Sequence, residues 1–374
     1  MLIQLAAMGM LVALLPMTIV WVSSDTDKYR KLVWVTLFLT FDLIIFGAFT
    51  RLTDSGLGCP DWPGCYGQAN PLQAHADISA AETAMPTGPV TVMKAWIEMI
   101  HRYLAMSIGV LIVALMVIAW RRRLKSGRRE MKFSPLFPTM LFVFVCVQGA
   151  FGAWTVTMKL QPVIVTIHLL LGMALLALLA WFGARLSDHQ TVPVSVVALR
   201  MPAMLSLLLL VVQIALGGWV STNYAALACT DFPLCQGELF PQMDFANGFT
   251  LWRDLGKTAH GDFLPFPALT AIHWTHRAFA LIVVALVAWV ALRAFRFDPL
   301  RKTARWLLII ITLQFAIGIS TVFLKLPLAL ALAHNGGAAL LMLLVVMLNH
   351  KLRITTETAT NPANTRQHSA KSGA

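Results

Sequence analysis

The chain has 374 residues, of which 58% are hydrophobic and only 12% carry a charge. This composition excludes a water-soluble globular domain, because such a domain needs a charged surface around its apolar core. The formal net charge of +12 is concentrated in short loops between long apolar runs, so membrane topology explains the charge and no nucleic-acid partner is expected.

Long apolar runs recur along the whole chain, and each is long enough for a helix of roughly 20 residues to cross a bilayer. Nine such runs are predicted at 2–22, 32–50, 94–120, 134–157, 162–184, 199–222, 270–296, 304–323 and 328–350. The first run lacks a basic start and a small-residue cleavage site, so we interpret it as a retained helix and not as a signal peptide. The sequence therefore predicts an all-α polytopic membrane protein.

Loop charges predict the orientation of these helices. The loops at 121–132 and 293–305 are rich in Arg and Lys, which places them in the cytoplasm by the positive-inside rule. The loops at 51–93 and 223–269 are poor in basic residues and carry many acidic ones, so they lie on the outer side. The C-terminus is then cytoplasmic and the N-terminus is outside. The polar tail at 351–374 is predicted to be disordered.

The chain repeats itself at nearly constant offsets. The repeated features are Gly47 and Gly217, Cys59-x5-Cys65 and Cys229-x5-Cys235, Glu98-x-x-His101-Arg102 and His273-x-x-His276-Arg277, Gln148 and Gln314, and His168 and His334, at offsets of 170, 170, 175, 166 and 166 residues. Such offsets predict two four-helix bundles at 32–184 and 199–350, in parallel orientation about an axis along the membrane normal. An inner linker at 185–198 joins them, and 1–31 forms an extra N-terminal transmembrane helix with its inner turn.

Each predicted bundle contains two histidines at a matched position. His101 and His168 in the first unit, and His276 and His334 in the second, lie six or seven residues from the outer end of their runs, about 10 Å below the boundary. Two imidazoles that face each other in a four-helix bundle are typical of bis-histidine heme ligation. A hydrogen-bonded core histidine is the common alternative for any one of them, but four in a repeated pattern favour ligands. Zinc would need further ligands in each unit.

Three arginines lie near the outer boundary, where heme propionates would need cations: Arg51, Arg102 and Arg277. The two units differ at the residue three positions before the first histidine, which is Glu98 in the first unit and His273 in the second. A carboxylate beside a heme can relay protons or stabilise positive charge, and an acid that favours the helix dipole is the alternative. This difference predicts one catalytic site and one electron-transfer site.

Two cysteine pairs lie in the outer loops, Cys59 with Cys65 and Cys229 with Cys235. The outer side of a cell membrane is oxidising, so each pair can close a short disulfide that clamps its loop over the histidines. A thiol pair that takes part in redox exchange is the second interpretation. Metal binding is a weaker one, because the spacing Cys-x5-Cys is poor for zinc.

The outer-loop motif and the histidines together resemble one known family, that of the heme A synthases of bacteria and mitochondria. The residues that carry the resemblance are Thr50-Arg-Leu-Thr-Asp-Ser-Gly-Leu-Gly-Cys-Pro-Asp-Trp-Pro-Gly-Cys65, Glu98-x-x-His101-Arg102, His168, His276-Arg277 and His334. The resemblance covers about residues 32–350. It implies an enzyme that oxidises a porphyrin methyl group of heme O to a formyl group by two successive hydroxylations, which yields heme A for cytochrome oxidase.

The resemblance also implies roles for individual residues and partners. His101 and His168 would flank heme O or heme A, with Glu98 as the catalytic carboxylate, while His276 and His334 would ligate heme b. The cysteine pairs match the family's loop cysteines. A heme O-supplying farnesyltransferase and the cytochrome oxidase assembly machinery are the implied partners, in the inner membrane of a bacterium with the heme sites near the outer face. The electron acceptor or donor is not identified, and a homo-oligomer is left open.

The chain departs from the family pattern in two respects. The family core has eight helices, so the first helix here is additional; it is interpreted as an anchor or a partner-binding helix that takes no part in the site. His273 competes with His276 as a heme ligand, but the match to His101 favours His276 and leaves His273 as its neighbour. A diheme cytochrome b that only carries electrons and a non-catalytic heme carrier or assembly factor are the alternative functions.

Overall fold

The long apolar runs of the chain form helices in the computed structural model, which describes residues 1–126 and 134–354. The helices are α1 Leu2–Val22, α2 Lys28–Leu52, α3 His75–Ala84, α4 Val92–Ser126, α5 Leu136–Thr157, α6 Pro162–Leu186, α7 Arg200–Thr222, α8 Phe245–Gly248, α9 Phe266–Ala294, α10 Asp298–Phe323 and α11 Leu328–Lys351. Within the described residues nine helices are long and apolar enough to cross a membrane. The predicted all-α polytopic membrane fold is therefore confirmed.

The helix that carries the first histidine of each half begins earlier than the apolar run predicts. The predicted run at 94–120 starts at Val92, and the run at 270–296 starts at Phe266, with a proline in the first turn of α9. Proline suits a first helical turn because its missing N–H has no intrahelical partner there. His101 and His276 therefore lie nine and ten residues into their helices, and not seven and six as predicted.

The helices of each half form a closed ring. In the first half α2 and α5 each pack against both α4 and α6, so α4 and α6 occupy opposite corners. In the second half α7 and α10 each pack against α9 and α11, which are again opposite. The helices at the opposite corners are the ones that carry the histidines, so the side chains of each pair converge from two sides of one bundle.

The two rings meet along the four helices α2, α6, α7 and α11. Contacts at one end of the helices reinforce this boundary, because Arg51 donates to the carbonyl of Ser221 at 2.8 Å and to the hydroxyl of Tyr224 at 3.0 Å. Tyr224 in turn donates to Asp54 at 2.7 Å. The main apolar core includes Leu115, which is fully buried.

The interpretation of helix α1 as an anchor or a partner-binding helix stays a prediction, but the helix is not remote from the candidate site. It packs along α4, and Gly9 allows close contact, since a Cβ on Gly9 would lie 2.9 Å from Met106 Cβ. Leu5 is 2% exposed and belongs to the same apolar cluster as Cys59 and Cys65. Hydropathy could not predict this, because lipid and protein neighbours select the same apolar residues.

Two predicted segments fall partly outside the described residues. Residues 127–133 of the basic loop and 355–374 of the tail are not described. The beginning of the tail is ordered, since Val192 N–H donates to the carbonyl of Ile354 at 2.7 Å and Arg200 Nε donates to that of Leu352 at 2.9 Å. The predicted disorder therefore does not begin at residue 351.

Candidate functional site

A glycine of the neighbouring helix lies against each of the four histidines. A Cβ atom added to the glycine would lie about as close to the imidazole as real packing tolerates. The pairs are Gly47 with His101 at 3.0 Å, Gly152 with His168 at 3.2 Å, Gly217 with His276 at 3.1 Å and Gly318 with His334 at 3.1 Å. The absence of a side chain at these glycines therefore lets each ring lie directly against the adjacent helix.

Glutamines on the neighbouring helices bind three of the four histidines. Each glutamine lies one helical turn before the glycine that contacts the same histidine. Gln148 Nε2 donates to the carbonyl of His168 at 3.1 Å, and Gln314 Nε2 donates to that of His334 at 2.9 Å. Gln213 Nε2 lies 3.2 Å from the carbonyl of His276 and 3.1 Å from its Nδ1. These bonds fix the height of each histidine relative to the helix that faces it.

The two histidines of each pair lie on opposite helices of one bundle, His101 on α4 and His168 on α6, and His276 on α9 and His334 on α11. Phe46 of α2 stacks on the ring of His101, with 6.3 Å between centroids and an angle of 10° between planes. Each ring of helices thus carries two histidines on facing helices, and an aromatic ring stacks on the first of them, His101.

Buried polar atoms without a hydrogen-bond partner concentrate at these two places. Of eight such side-chain atoms in the described residues, six belong to the sites: Gln148 Oε1, His168 Nδ1, Gln213 Oε1, Arg277 Nη1, Gln314 Oε1 and His334 Nδ1. An unsatisfied buried polar atom costs about 1–3 kcal/mol, so their grouping indicates a ligand with polar atoms of its own.

The residues fit a heme better than a bare metal ion. Within the ranges 1–126 and 134–354, no group of three or more His, Cys, Asp or Glu side chains could hold a metal ion. A porphyrin supplies the equatorial donors of its iron, so two axial imidazoles from opposite corners of a bundle are sufficient. Because the neighbouring helices have glycine at these positions, each imidazole can pack directly against the backbone of the next helix.

Glu98 and His273 occupy equivalent places and make equivalent contacts. Glu98 Oε2 accepts from the N–H of Cys59 at 2.8 Å, and His273 Nδ1 accepts from the N–H of Cys229 at 3.2 Å. Both side chains are buried, at 4% and 5% exposure. The difference between the units is therefore one of charge, because both residues anchor the first cysteine of an outer loop.

The arginines that follow the first histidines also hold the outer loops. Arg102 Nη1 donates to the carbonyls of Asp61 at 3.0 Å and Gly64 at 2.5 Å, and its Nη2 pairs with Glu98 Oε1 at 2.5 Å. Arg277 Nη2 donates to the carbonyl of Leu234 at 2.9 Å. Contacts with propionates remain a prediction for Arg51, Arg102 and Arg277, which bind other groups of the protein.

Both cysteine pairs form disulfides over the histidine sites, Cys59–Cys65 and Cys229–Cys235. An aspartate in each loop bonds the backbone just after the second cysteine. Asp61 accepts from Gly67 N–H at 2.7 Å, and Asp231 accepts from Gly237 N–H at 2.9 Å. The N–H of Gly237 holds the pKa of Asp231 below its usual range. The disulfides are therefore part of a built cover, while a redox role stays a hypothesis.

Sequence reasoning missed several residues of this arrangement. Gln213 and the packing role of the four glycines were not predicted, although the spacing Gln-x-x-x-Gly at 148, 213 and 314 is visible in the chain. Asp42, an ionisable residue within α2, was also overlooked and lies on the exposed side of that helix. A search for residues four positions before each repeated glycine would have found the glutamines.

Comparisons with known proteins support a single family. Residues 30–346 match the family model COX15-CtaA, described as a cytochrome oxidase assembly protein. A heme A synthase of Shewanella oneidensis is 42% identical over 328 residues, which cover 86% of this chain and 97% of that protein. A heme A synthase of Methylobacterium nodulans is 30% identical over 326 residues, covering 81% of this chain and 86% of that protein.

A third relative, a heme A synthase of Bradyrhizobium diazoefficiens, is 28% identical over 368 residues and covers 91% of this chain and 97% of that protein. The matched family region begins after α1, which ends at Val22. The resemblance noted in the sequence is confirmed by these matches. The chain belongs to the COX15-CtaA family of cytochrome oxidase assembly proteins.

Proposed function

We propose that this protein is a heme A synthase, which oxidises a porphyrin methyl group of heme O to a formyl group and so supplies heme A for cytochrome oxidase. The names of its relatives support this activity. The observation that carries the proposal is the pair of histidine sites, each with two imidazoles seated against glycines under a disulfide-closed loop. Only the first of these sites has a buried carboxylate, Glu98, at its loop anchor.

The two sites divide the work in this proposal. His101 and His168 of the unit 32–184 flank the substrate heme O and the product heme A. His276 and His334 of the unit 199–350 hold a resident heme b, which when bound supplies one-electron transfer. Gln213 supports this division, because its contact with His276 Nδ1 at 3.1 Å orients a histidine of the resident site.

Glu98 is the residue that we assign to the chemistry. Oxidation of a methyl group releases protons, and a buried carboxylate can accept them. Glu98 keeps its place because Arg102 and the N–H of Cys59 bind its two oxygens, at 2.5 and 2.8 Å. A carboxylate held in this way is an oriented acceptor and not a mobile one.

The proposal includes a location and partners. Bacterial relatives and the basic inner loops support a multi-pass protein of the inner membrane, with the heme sites near the outer face and the C-terminus in the cytoplasm. A farnesyltransferase that makes heme O would deliver the substrate. The product would pass to the cytochrome oxidase assembly machinery, and a homo-oligomer is compatible with this arrangement.

One observation favours a second candidate, a diheme cytochrome b that only carries electrons. Glu98 and His273 make the same contact with a loop cysteine, so the carboxylate has a structural duty that a pure electron carrier would also need. Extraction of the pigment from purified protein separates the two functions. Heme O or heme A beside heme b supports the synthase, whereas heme b alone in both sites would support the carrier.

A charge-neutral replacement of Glu98 tests its assigned role. Glu98→Gln retains an oxygen for the N–H of Cys59 but removes the negative charge, so we expect heme A formation in a heme O-producing host to fall roughly a hundredfold. The heme b content should stay unchanged. The matched control is His273→Gln at the equivalent anchor, which should leave heme A formation within about threefold of normal. Full heme A formation by the Glu98→Gln protein would remove Glu98 from the mechanism.

A further inference from the structure

A short motif on the facing helix recurs at three of the four histidines. It reads Gln-x-x-x-Gly at 148–152, 213–217 and 314–318, and Leu43-Ile-Ile-Phe46-Gly47 stands at the fourth position. Residues four apart lie one above the other on a helix face, so the glutamine and the glycine contact the same histidine. We call this pair of residues the glutamine–glycine clamp.

The clamp holds the histidine at two points. The glutamine amide bonds the main-chain carbonyl of the histidine, with distances of 3.1, 3.2 and 2.9 Å at His168, His276 and His334. The glycine receives the ring, and in all three cases Cε1 is the imidazole atom nearest to a Cβ placed there, at 3.1–3.2 Å. The main chain and the ring are thus tied to the same helix, with the same ring orientation.

His101 is held in a different way. Leu43 stands where the other three helices have glutamine, and an isobutyl group has no N–H to donate to the carbonyl of His101. The ring is also turned, because Nε2 and not Cε1 is nearest to a Cβ placed on Gly47, at 3.0 Å. Phe46 stacks on the ring instead. The contacts of α2 with His101 at this level are therefore apolar and lack the directional bond.

We propose that Leu43 makes His101 the more easily displaced ligand of the first site. The first site can then exchange its heme while the second site retains its own. This inference rests on the proposed function, in which the first unit takes up heme O and releases heme A. Release of a heme held by His101 and His168 would require one of these imidazoles to move away from it. No glutamine of α2 bonds the main chain of His101, so His101 moves away from the heme with the loss of fewer protein contacts than His168.

The test compares heme release from the full-length protein and three variants. Leu43→Gln installs the missing donor, and Leu43→Met is its matched control, because methionine has a similar length and no N–H. Gln213→Met removes the donor at His276 in the second site. Purified protein is mixed with excess apomyoglobin as a heme acceptor, and the absorbance bands of heme A and heme b are followed separately.

We expect heme A to leave the unaltered protein faster than heme b. Leu43→Gln should slow the release of heme A roughly threefold to tenfold, which is the effect of one net buried hydrogen bond, and should leave heme b release unchanged. Leu43→Met should behave as the unaltered protein. Gln213→Met should speed heme b release by a similar factor and shift the reduction potential of heme b.

Two results would overturn the proposal: equal heme A release by Leu43→Gln and Leu43→Met, or equal heme b release with and without Gln213. If Leu43→Gln protein does not fold, the Gln213→Met arm decides alone. Failure of the proposed function is a separate outcome. It would appear as heme b in both sites on extraction, and a slow and a fast phase of heme b release would then still report on the clamp.

Discussion

Single glycines set how closely each imidazole approaches the next helix. Gly152→Ala would place a Cβ 3.2 Å from His168 Cε1, which is tighter than ordinary contact, whereas Gly149 on the same helix has nothing within 4 Å of an added Cβ. We expect Gly152→Ala to lower the ratio of heme to protein in the first unit severalfold, because the ring of His168 must turn away from the position in which we propose that it binds heme. Gly149→Ala should leave this ratio unchanged.

The absorbance spectrum of the purified variants measures this ratio, and circular dichroism checks that the helices are intact. Equal heme content in the two alanine variants would mean that the glycine at 152 does not position His168. The sequence shows that these glycines repeat with the histidines. Their partner atoms were not predictable, because Gly47 and His101 are 54 residues apart and meet only when α2 and α4 pack.

Helix α1 supports the first histidine unit. Its N-terminal end packs against the cluster that includes Cys59 and Cys65, and no equivalent helix precedes the second unit among the described residues. Sequence patterning predicted the helix and its bounds, 2–22. The pattern could not show its docking face, because the helix is apolar on every side and membrane helices associate through shape and not through hydrophobicity.

Leu5→Ala should therefore destabilise the first unit by about 2–3 kcal/mol, since Leu5 is 2% exposed and its removal leaves a cavity beside the disulfide loop. Leu11, which is 62% exposed on the same helix, provides the control, and Leu11→Ala should change stability by less than about 0.5 kcal/mol. Limited proteolysis of the loop at 53–91 measures the local effect. Identical cleavage rates in the two variants would contradict a bracing role for α1.

Residues at equivalent positions of the internal repeat contact each other between the two halves of the molecule. Arg51 contacts Ser221, and Asp54 contacts Tyr224, and the partners are 170 residues apart in both cases. Equivalent positions of the two halves therefore contact each other. Arg51 was predicted as a contact for propionate, and its observed partners give it a duty in joining the halves.

Arg51→Met should lower the thermal stability of the assembled protein, because it removes bonds to Ser221 and Tyr224 from a side chain that is 15% exposed. We expect a loss of about 1 kcal/mol. Arg30 pairs with Asp25 at 3.7 Å, with both side chains about one third exposed, so Arg30→Met should have almost no effect. Thermal unfolding in detergent compares the two variants, and equal transition midpoints would contradict a role for Arg51 in joining the halves.

The membrane fold, the nine spans, the repeat and the four candidate histidines could be predicted from the amino-acid pattern alone. The spans follow from the cost of placing charges and unpaired backbone groups in lipid, which acts on each segment separately. The atoms that each candidate side chain contacts could not be predicted in this way. Glu98 reaches the N–H of Cys59 across 39 residues, and Arg102 reaches the loop carbonyls in the same way, because such contacts depend on how helices distant in sequence pack.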